Sequence, residues 1–201
     1  MSPHESVAMA LQAFPMAITL EDGRDLELRP AAQGDQDAIV AFANALPESD
    51  LLFLRVDITQ PAVVANWLHN ISNGETVSLL AVDANGEVSG YATVDRNAAR
   101  WTRRVGEIRV NVAASHRSQG LGRHLTSRIF DVARSLGLKK LTAHMTPNQT
   151  GAHAAFTRLG FRPEALLADY IEDRDGKVHD LTILSYDIDG LTSQVDDPLR
   201  L

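Results

Sequence analysis

Apolar residues along this chain switch between two spacings, and each switch marks the boundary of an element. Ile108, Val110 and Val112 alternate with the polar Arg109 and Asn111, the two-residue period of a strand with one buried face. After a short polar break, Ala113 to Arg117, the period changes. Leu121, Leu125, Ile129, Phe130, Val132, Ala133 and Leu136 recur at helical spacing behind Gly120 and Gly122. Upstream, Ile18 to Leu20 and Leu26 to Leu28 flank Glu21, Asp22 and Gly23 as the arms of a hairpin would. Helices are predicted over about 35–45 and 60–72, the second with Pro61 suited to its first turn. Strands over 77–82 and 88–94 flank Asn85-Gly86, a strong two-residue hairpin signal. Downstream come a strand over 141–145, a helix over 149–159 that stops at Leu159-Gly160-Phe161, and strands over about 163–171 and 178–187 around Asp175-Gly176.

The sum is a mixed, largely antiparallel α/β sheet with helices on its faces, one domain over residues 16–187. Residues 1–15 precede it as an extension in which Val7, Leu11 and Phe14 fall near helical spacing. It either packs as an extra helix or stays disordered. Residues 188–201 read as a tail.

Composition narrows the chemistry. The absence of cysteine from the 201 residues removes disulfides, thiolate zinc sites and cysteine nucleophiles together. Without a basic-then-apolar leader or a membrane-length apolar run, a soluble cytoplasmic protein is expected, a monomer or homodimer. Net charge is -7, yet residues 96–128 hold Arg96, Arg100, Arg103, Arg104, Arg109, Arg117, Arg123 and Arg128 against the single acid Glu107. A positive strip on an acidic body suits one small polyanion better than nucleic acid, which wants a basic face with stacking aromatics; Trp101 alone supplies an aromatic there. Several of these arginines are expected to be no more than a solvated face. His116, His124, His144 and His153 are scattered too widely for a metal triad, so no metal is predicted.

The order strand, glycine turn, helix is hardware for an anion, because glycine lets the backbone approach a ligand and a helix N-terminus carries about half a positive charge. Three phosphate loops compete. A dinucleotide fingerprint wants a third glycine where Leu125 stands and an acid near Lys139 and Lys140. A P-loop wants Lys-Ser/Thr where Arg123 and His124 stand. What survives is R-x-x-G-x-G, Arg117 to Gly122, behind a strand and opening a helix.

This resembles the pyrophosphate-binding loop of the GNAT N-acetyltransferases, and Leu159-Gly160-Phe161 resembles the helix end found downstream of it in that family. The front half, with ITLEDGRDLELRP and GDQDAIVAFANALPES, resembles the GNAT domain of bacterial protein-lysine acetyltransferases, and Glu107 stands ten residues before Arg117 where that subgroup has its general base. The resemblance implies six to seven strands, about four helices and a sheet splayed at the cofactor strand. It implies acetyl-CoA as cosubstrate, held by Asn111, Val112, Arg117, Ser118, Gln119, Gly120, Leu121, Gly122, Arg123, Asn148 and Phe156. A bulge around Asn111 to Ala113 would free a backbone donor for the oxyanion. Phe156 stands where many members have a tyrosine acid, so no such acid is assigned.

The expected activity is acetyl transfer to a primary amine, of a protein lysine or a small molecule, with Glu107 as base directly or through water. The competing account of Glu107 is an ion pair with Arg104 or Arg109. The competing function is a non-catalytic acyl-CoA sensor. The acceptor pocket is expected between the 47–59 segment and the 172–177 turn, where Asp50, Asp57, Glu172, Asp173 and Asp175 would suit a cation.

Overall fold

The changes of period in the sequence become element boundaries in the computed structural model, which describes residues 3–51, 56–96, 99 and 101–190. In chain order these are α1 (Pro3–Ala10), β1 (Met16–Thr19), β2 (Asp25–Pro30), α2 (Gln36–Asn44), α3 (Glu48–Leu51), α4 (Pro61–Ser72), β3 (Thr76–Val82), β4 (Val88–Arg96), β5 (Val105–Val112), α5 (Leu121–Ser135), β6 (Lys140–Met145), α6 (Thr150–Arg158), β7 (Arg162–Glu172) and β8 (Val178–Asp187). Arg100, residues 52–55 of the expected acceptor segment and the tail from 191 onward lie outside the described residues.

All eight strands join one sheet in the order β1-β2-β3-β4-β5-β6-β8-β7. That exceeds the six to seven expected. The reason is that β2 pairs antiparallel with β3, from Glu27↔Val82 to Pro30↔Leu79, and carries β1 in as an edge. Helices also exceed the expected four. The extension forms α1, whose Val7 and Ala10 pack on the core with Leu11 and Phe14 behind them. The short α3, ESDL, has no apolar period to announce it.

Two apolar layers cover the sheet. β3 is buried along its whole length, Val77, Leu79 and Ala81 on one face and Leu80 and Val82 on the other, as a central strand requires. One face meets α5 through Leu121, Leu125, Ile129, Val132 and Ala133, the other meets α2 and α4 through Ile39, Phe42, Val64 and Leu68. Each of these Val, Leu, Ile and Phe side chains contributes about 1.5–3 kcal/mol when fully buried.

The sheet opens in the middle. β5 and β6 run parallel but pair only over Val105↔Lys140, Gly106↔Leu141 and Glu107↔Thr142. Beyond Glu107, β5 follows β4 to Val112↔Gly90, while β6 follows β8 to Met145↔Thr182. From there each strand stays with its antiparallel partner on the outer side alone.

Candidate active site

The parting leaves β5 with a free inner edge. The Ala113 N–H donates to Ser89 O at 2.9 Å, and the β4–β5 register is unbroken from Gly90↔Val112 to Arg96↔Gly106. Antiparallel alternation then turns the N–H and C=O of Asn111 and Arg109 toward β4, and those of Val112, Val110 and Ile108 into the gap. The bulge expected around Asn111 to Ala113 is therefore not there. It is not needed, since the splay itself exposes backbone donors. A cavity of about 110 Å³ fills the gap, lined by Ile108, Val110, Ala143, Met145, Ala152 and Phe156 within and by Asp50, Arg109, Asn111 and His144 at one mouth.

At the end of that edge lies the glycine loop. A turn of 3-10 helix, Ala114–His116, carries the chain to Arg117. Ser118 (φ 58°) and Gly120 (φ 85°) both adopt left-handed backbone, and Gly120 stands as the N-cap of α5. The first helical bond runs from His124 N–H to Gly120 O at 3.0 Å. The N–H groups of Leu121, Gly122 and Arg123 precede it and have no carbonyl within the helix. They are the free donors of a helix start, at the place where the spacing of glycines put one.

The sequence did not reveal what holds this loop. The turn between β1 and β2 reaches across it: Glu21 N–H donates to Gln119 O at 3.1 Å, and Arg24, paired with Asp22, donates from Nη2 to Ser115 O at 2.9 Å. Arg117 donates through Nε to Val112 O at 3.2 Å and through Nη2 to Asp50. Beside the loop, partial burial first and the Arg24 charge second push the His116 pKa below its ordinary value, which favours the neutral ring at pH 7.

Glu107 is the last residue of β5 still paired with β6. Its carboxylate lies on the face opposite α5, 2.5 Å from Arg109 Nη2 and 3.7 Å from His144 Nδ1. Arg109 also reaches Asp95 at 3.3 Å, and Thr76 Oγ1 donates to that carboxylate at 2.6 Å. The ion pair with Arg109 that competed with a catalytic account thus exists, and the carboxylate nonetheless sits where the strands part. Next along the face, Asn111 Nδ2 donates to Tyr91 Oη at 2.7 Å; burial raises the phenol's pKa and keeps it protonated. A second cavity of about 270 Å³ runs from here under α4, sharing Val56, Ile58, Tyr91 and Arg109 with the gap and adding Trp67, Glu75 and Asp95.

The far wall of the gap is α6. Leu159 is its C-cap and Gly160 (φ 94°) supplies the left-handed turn: Gly160 N–H donates to Thr157 O at 2.9 Å and Phe161 N–H to Phe156 O at 3.1 Å. The Leu-Gly-Phe signature is thus a helix stop. Phe161 is buried beneath it, 4.9 Å edge-on from Phe156, 5.7 Å from Phe130 and 5.6 Å from Tyr186, which fixes the ring of Phe156 against the gap. Asn148 is exposed in the turn before α6 and accepts from Thr146 Oγ1 at 2.5 Å; it does not line the gap. His153 faces Thr146 O at 3.2 Å.

The arginine strip disperses. Arg96 binds Gly74 O, Arg128 pairs with Asp131 at 3.1 Å, and Arg117 and Arg109 serve the two ends of the site. Of the acids considered for the acceptor, Asp57 pairs with Arg174 at 2.8 Å, tying the 47–59 segment to the β7–β8 turn, and Asp173 pairs with His179 at 2.6 Å within that hairpin; Asp50 alone of them lines the gap.

A splayed parallel pair, a strand edge with inward N–H groups and an anion-binding helix start at its end define a coenzyme A-dependent acyltransferase. The chain belongs to the acetyltransferase (GNAT) family, whose profile matches residues 34–161. It is therefore an N-acetyltransferase with acetyl-CoA as cosubstrate, and the free edge of β5 and the loop through Gly122 fit that donor. Streptothricin acetyltransferase of Streptomyces lavendulae is 28% identical over 165 residues, 72% of this chain and 85% of the relative. L-amino acid N-acyltransferase MnaT of Escherichia coli (strain K12) is 33% identical over 116 residues, 57% of this chain and 66% of the relative. Among solved structures, YncA from Salmonella typhimurium, with its cofactor acetyl-CoA, shares the fold at a TM-score of 0.70 and 24% identity, covering 84% of this chain and 96% of that one. The GNAT domain of S. lividans PAT does so at 0.67 and 22%, covering 86% and 96%. Among the described residues no helix is long and apolar enough to cross a membrane.

Proposed function

We propose that this enzyme acetylates a primary amine by direct attack on the donor thioester, with Glu107 as general base. The observation that carries the reading is the position of Glu107 at the residue where β5 and β6 part, in contact with Arg109 and His144, two residues that line the gap. An aliphatic amine has a pKa of about 10.4, so presenting it neutral at pH 7 costs on the order of 4–5 kcal/mol. Glu107 is the base that accepts the ammonium proton, directly or through one water, provided that burial beneath the bound substrates raises its own pKa. Arg109 holds the carboxylate in place, and His144 is the nearest further proton carrier.

Acetyl-CoA, when bound, supplies an activated carbonyl. The inward N–H groups of Val110 and Val112 are the donors available to stabilise charge developing on its oxygen. Arg117, Ser118, Gln119, Gly120, Leu121, Gly122 and Arg123 take the diphosphate. Phe156 lines the gap with a ring that has no proton to give. A thiol with pKa near 8.5 leaves as thiolate with little help.

The acceptor is read as a compact amine rather than a folded protein's lysine. Both curated relatives are named for small-molecule substrates, and the cavity under α4, about 270 Å³, communicates with the gap. The test is thiol release from acetyl-CoA with a panel of amino acids, polyamines and lysine peptides. Glu107→Gln should lower kcat on the best substrate about 100-fold, with the acetyl-CoA dissociation constant unchanged. An undiminished rate in that variant would remove Glu107 from the mechanism.

A further inference from the structure

Arg117, the first residue of the glycine loop, is engaged twice. Its Nε rests on Val112 O at 3.2 Å and its Nη2 on a carboxylate oxygen of Asp50. By the alternation along β5, that Val112 carbonyl points into the gap. Asp50 comes from α3, outside the sheet, and its side chain is among those lining the same gap. Three parts that a donor must pass, namely the loop, the inner strand edge and the acceptor-side segment, are therefore tied together through one guanidinium.

Resting on the reading that the loop takes the donor's diphosphate, we propose that Asp50 is an internal substitute for it. The carboxylate neutralises Arg117 in the free enzyme, and donor binding exchanges it for the diphosphate. The exchange is feasible because the pair is partly exposed, 46% for the Arg117 side chain and 24% for Asp50, and ion pairs of that kind are weak. A diphosphate offers Arg117 more acceptor oxygens and more charge than one carboxylate does, and the first-turn N–H groups of α5 reinforce it. Asp50 thereby lowers the affinity for donors that carry the phosphate groups and leaves that for truncated ones unchanged.

The experiment is calorimetric titration of coenzyme A into wild type, Asp50→Asn, Arg117→Gln and the double variant, with pantetheine, which has no phosphate, as a second ligand. Asp50→Asn should bind coenzyme A about two- to fivefold more tightly than wild type. It should bind pantetheine no differently. In the Arg117→Gln background the same substitution should have no effect on coenzyme A. Equal or weaker coenzyme A binding by Asp50→Asn overturns the proposal, as does a gain that persists without Arg117. A matching gain for pantetheine overturns it too, because the effect would then be a wider gap and not a released charge. Failure of wild type to bind coenzyme A at all would instead refute the underlying reading of the loop.

Discussion

The two glycines of the loop should respond oppositely to the same added methyl. Gly120 has φ 85°, and a Cβ there would lie 3.3 Å from Glu21 Oε1. Left-handed backbone costs an alanine roughly 1–2 kcal/mol, and the crowding against Glu21 adds a few tenths. Gly122 lies inside the first turn of α5, where a Cβ would meet only Val112 Cγ2, at an ordinary 3.7 Å. Alanine there gains helix propensity, up to about 0.5–1 kcal/mol, less at a helix end. In a chain of this size 1 kcal/mol moves Tm by about 2–4 °C. Gly120→Ala should therefore melt about 3–9 °C below wild type and Gly122→Ala level with it or about 1–2 °C above. Circular dichroism melts of the three proteins without ligand decide the matter. Calorimetry should add a coenzyme A affinity at least about fivefold weaker in Gly120→Ala, since repositioning Gly120 moves the N–H groups behind it. Equal melting of the two variants, or a Gly122→Ala that is the less stable of them, would refute the assignment of separate roles.

Two further predictions concern the frame around the site. Asp35 accepts both Arg29 Nη groups, at 2.7 and 2.8 Å, and the Ala32 N–H at 2.8 Å, so Arg29 first and that backbone bond in support hold its pKa below the ordinary carboxylate value. A depressed folded pKa contributes stability that is complete above the unfolded value, about 3.9, and is lost as pH falls through the folded one. Asp35→Asn should cost about 2–3 kcal/mol in urea unfolding at pH 7, with the gap to wild type closing below about pH 4; a gap that does not change with pH would show that the charge is immaterial. Thr93 is buried and its Oγ1 has no protein hydrogen-bond partner among the described residues, so Thr93→Val should raise stability by about 1 kcal/mol. A lower Tm would show that the hydroxyl contributes to the fold after all.

How much of this was legible depended on the range of the interaction. The alternation at Ile108, Val110 and Val112, the helical stripe from Leu121 and the Asn85-Gly86 turn each concern neighbours in the chain, and each became the element it indicated. So did Leu159-Gly160-Phe161, whose bonds return only as far as Phe156 and Thr157. The resemblance led to the right family, yet placed a bulge at Asn111 to Ala113 where the ladder is regular. Spacing put Glu107 ten residues before Arg117, but it could not decide between base and ion pair, and the structure holds Arg109 and the parting strands at one carboxylate.

The sequence by itself determined the elements, the glycine turn that opens α5 and the family, because periodicity, caps and turn glycines act over a few residues and leave a local signature. Only the tertiary structure decided the site. The gap lies where β5 and β6 stop pairing while β4 and β8 hold each of them, the loop is held by a turn far upstream through Glu21 and Arg24, and Arg117 is met by Asp50, 67 positions away in the chain. None of these contacts leaves a periodic trace, since each joins segments whose proximity is set by the packing of the whole sheet.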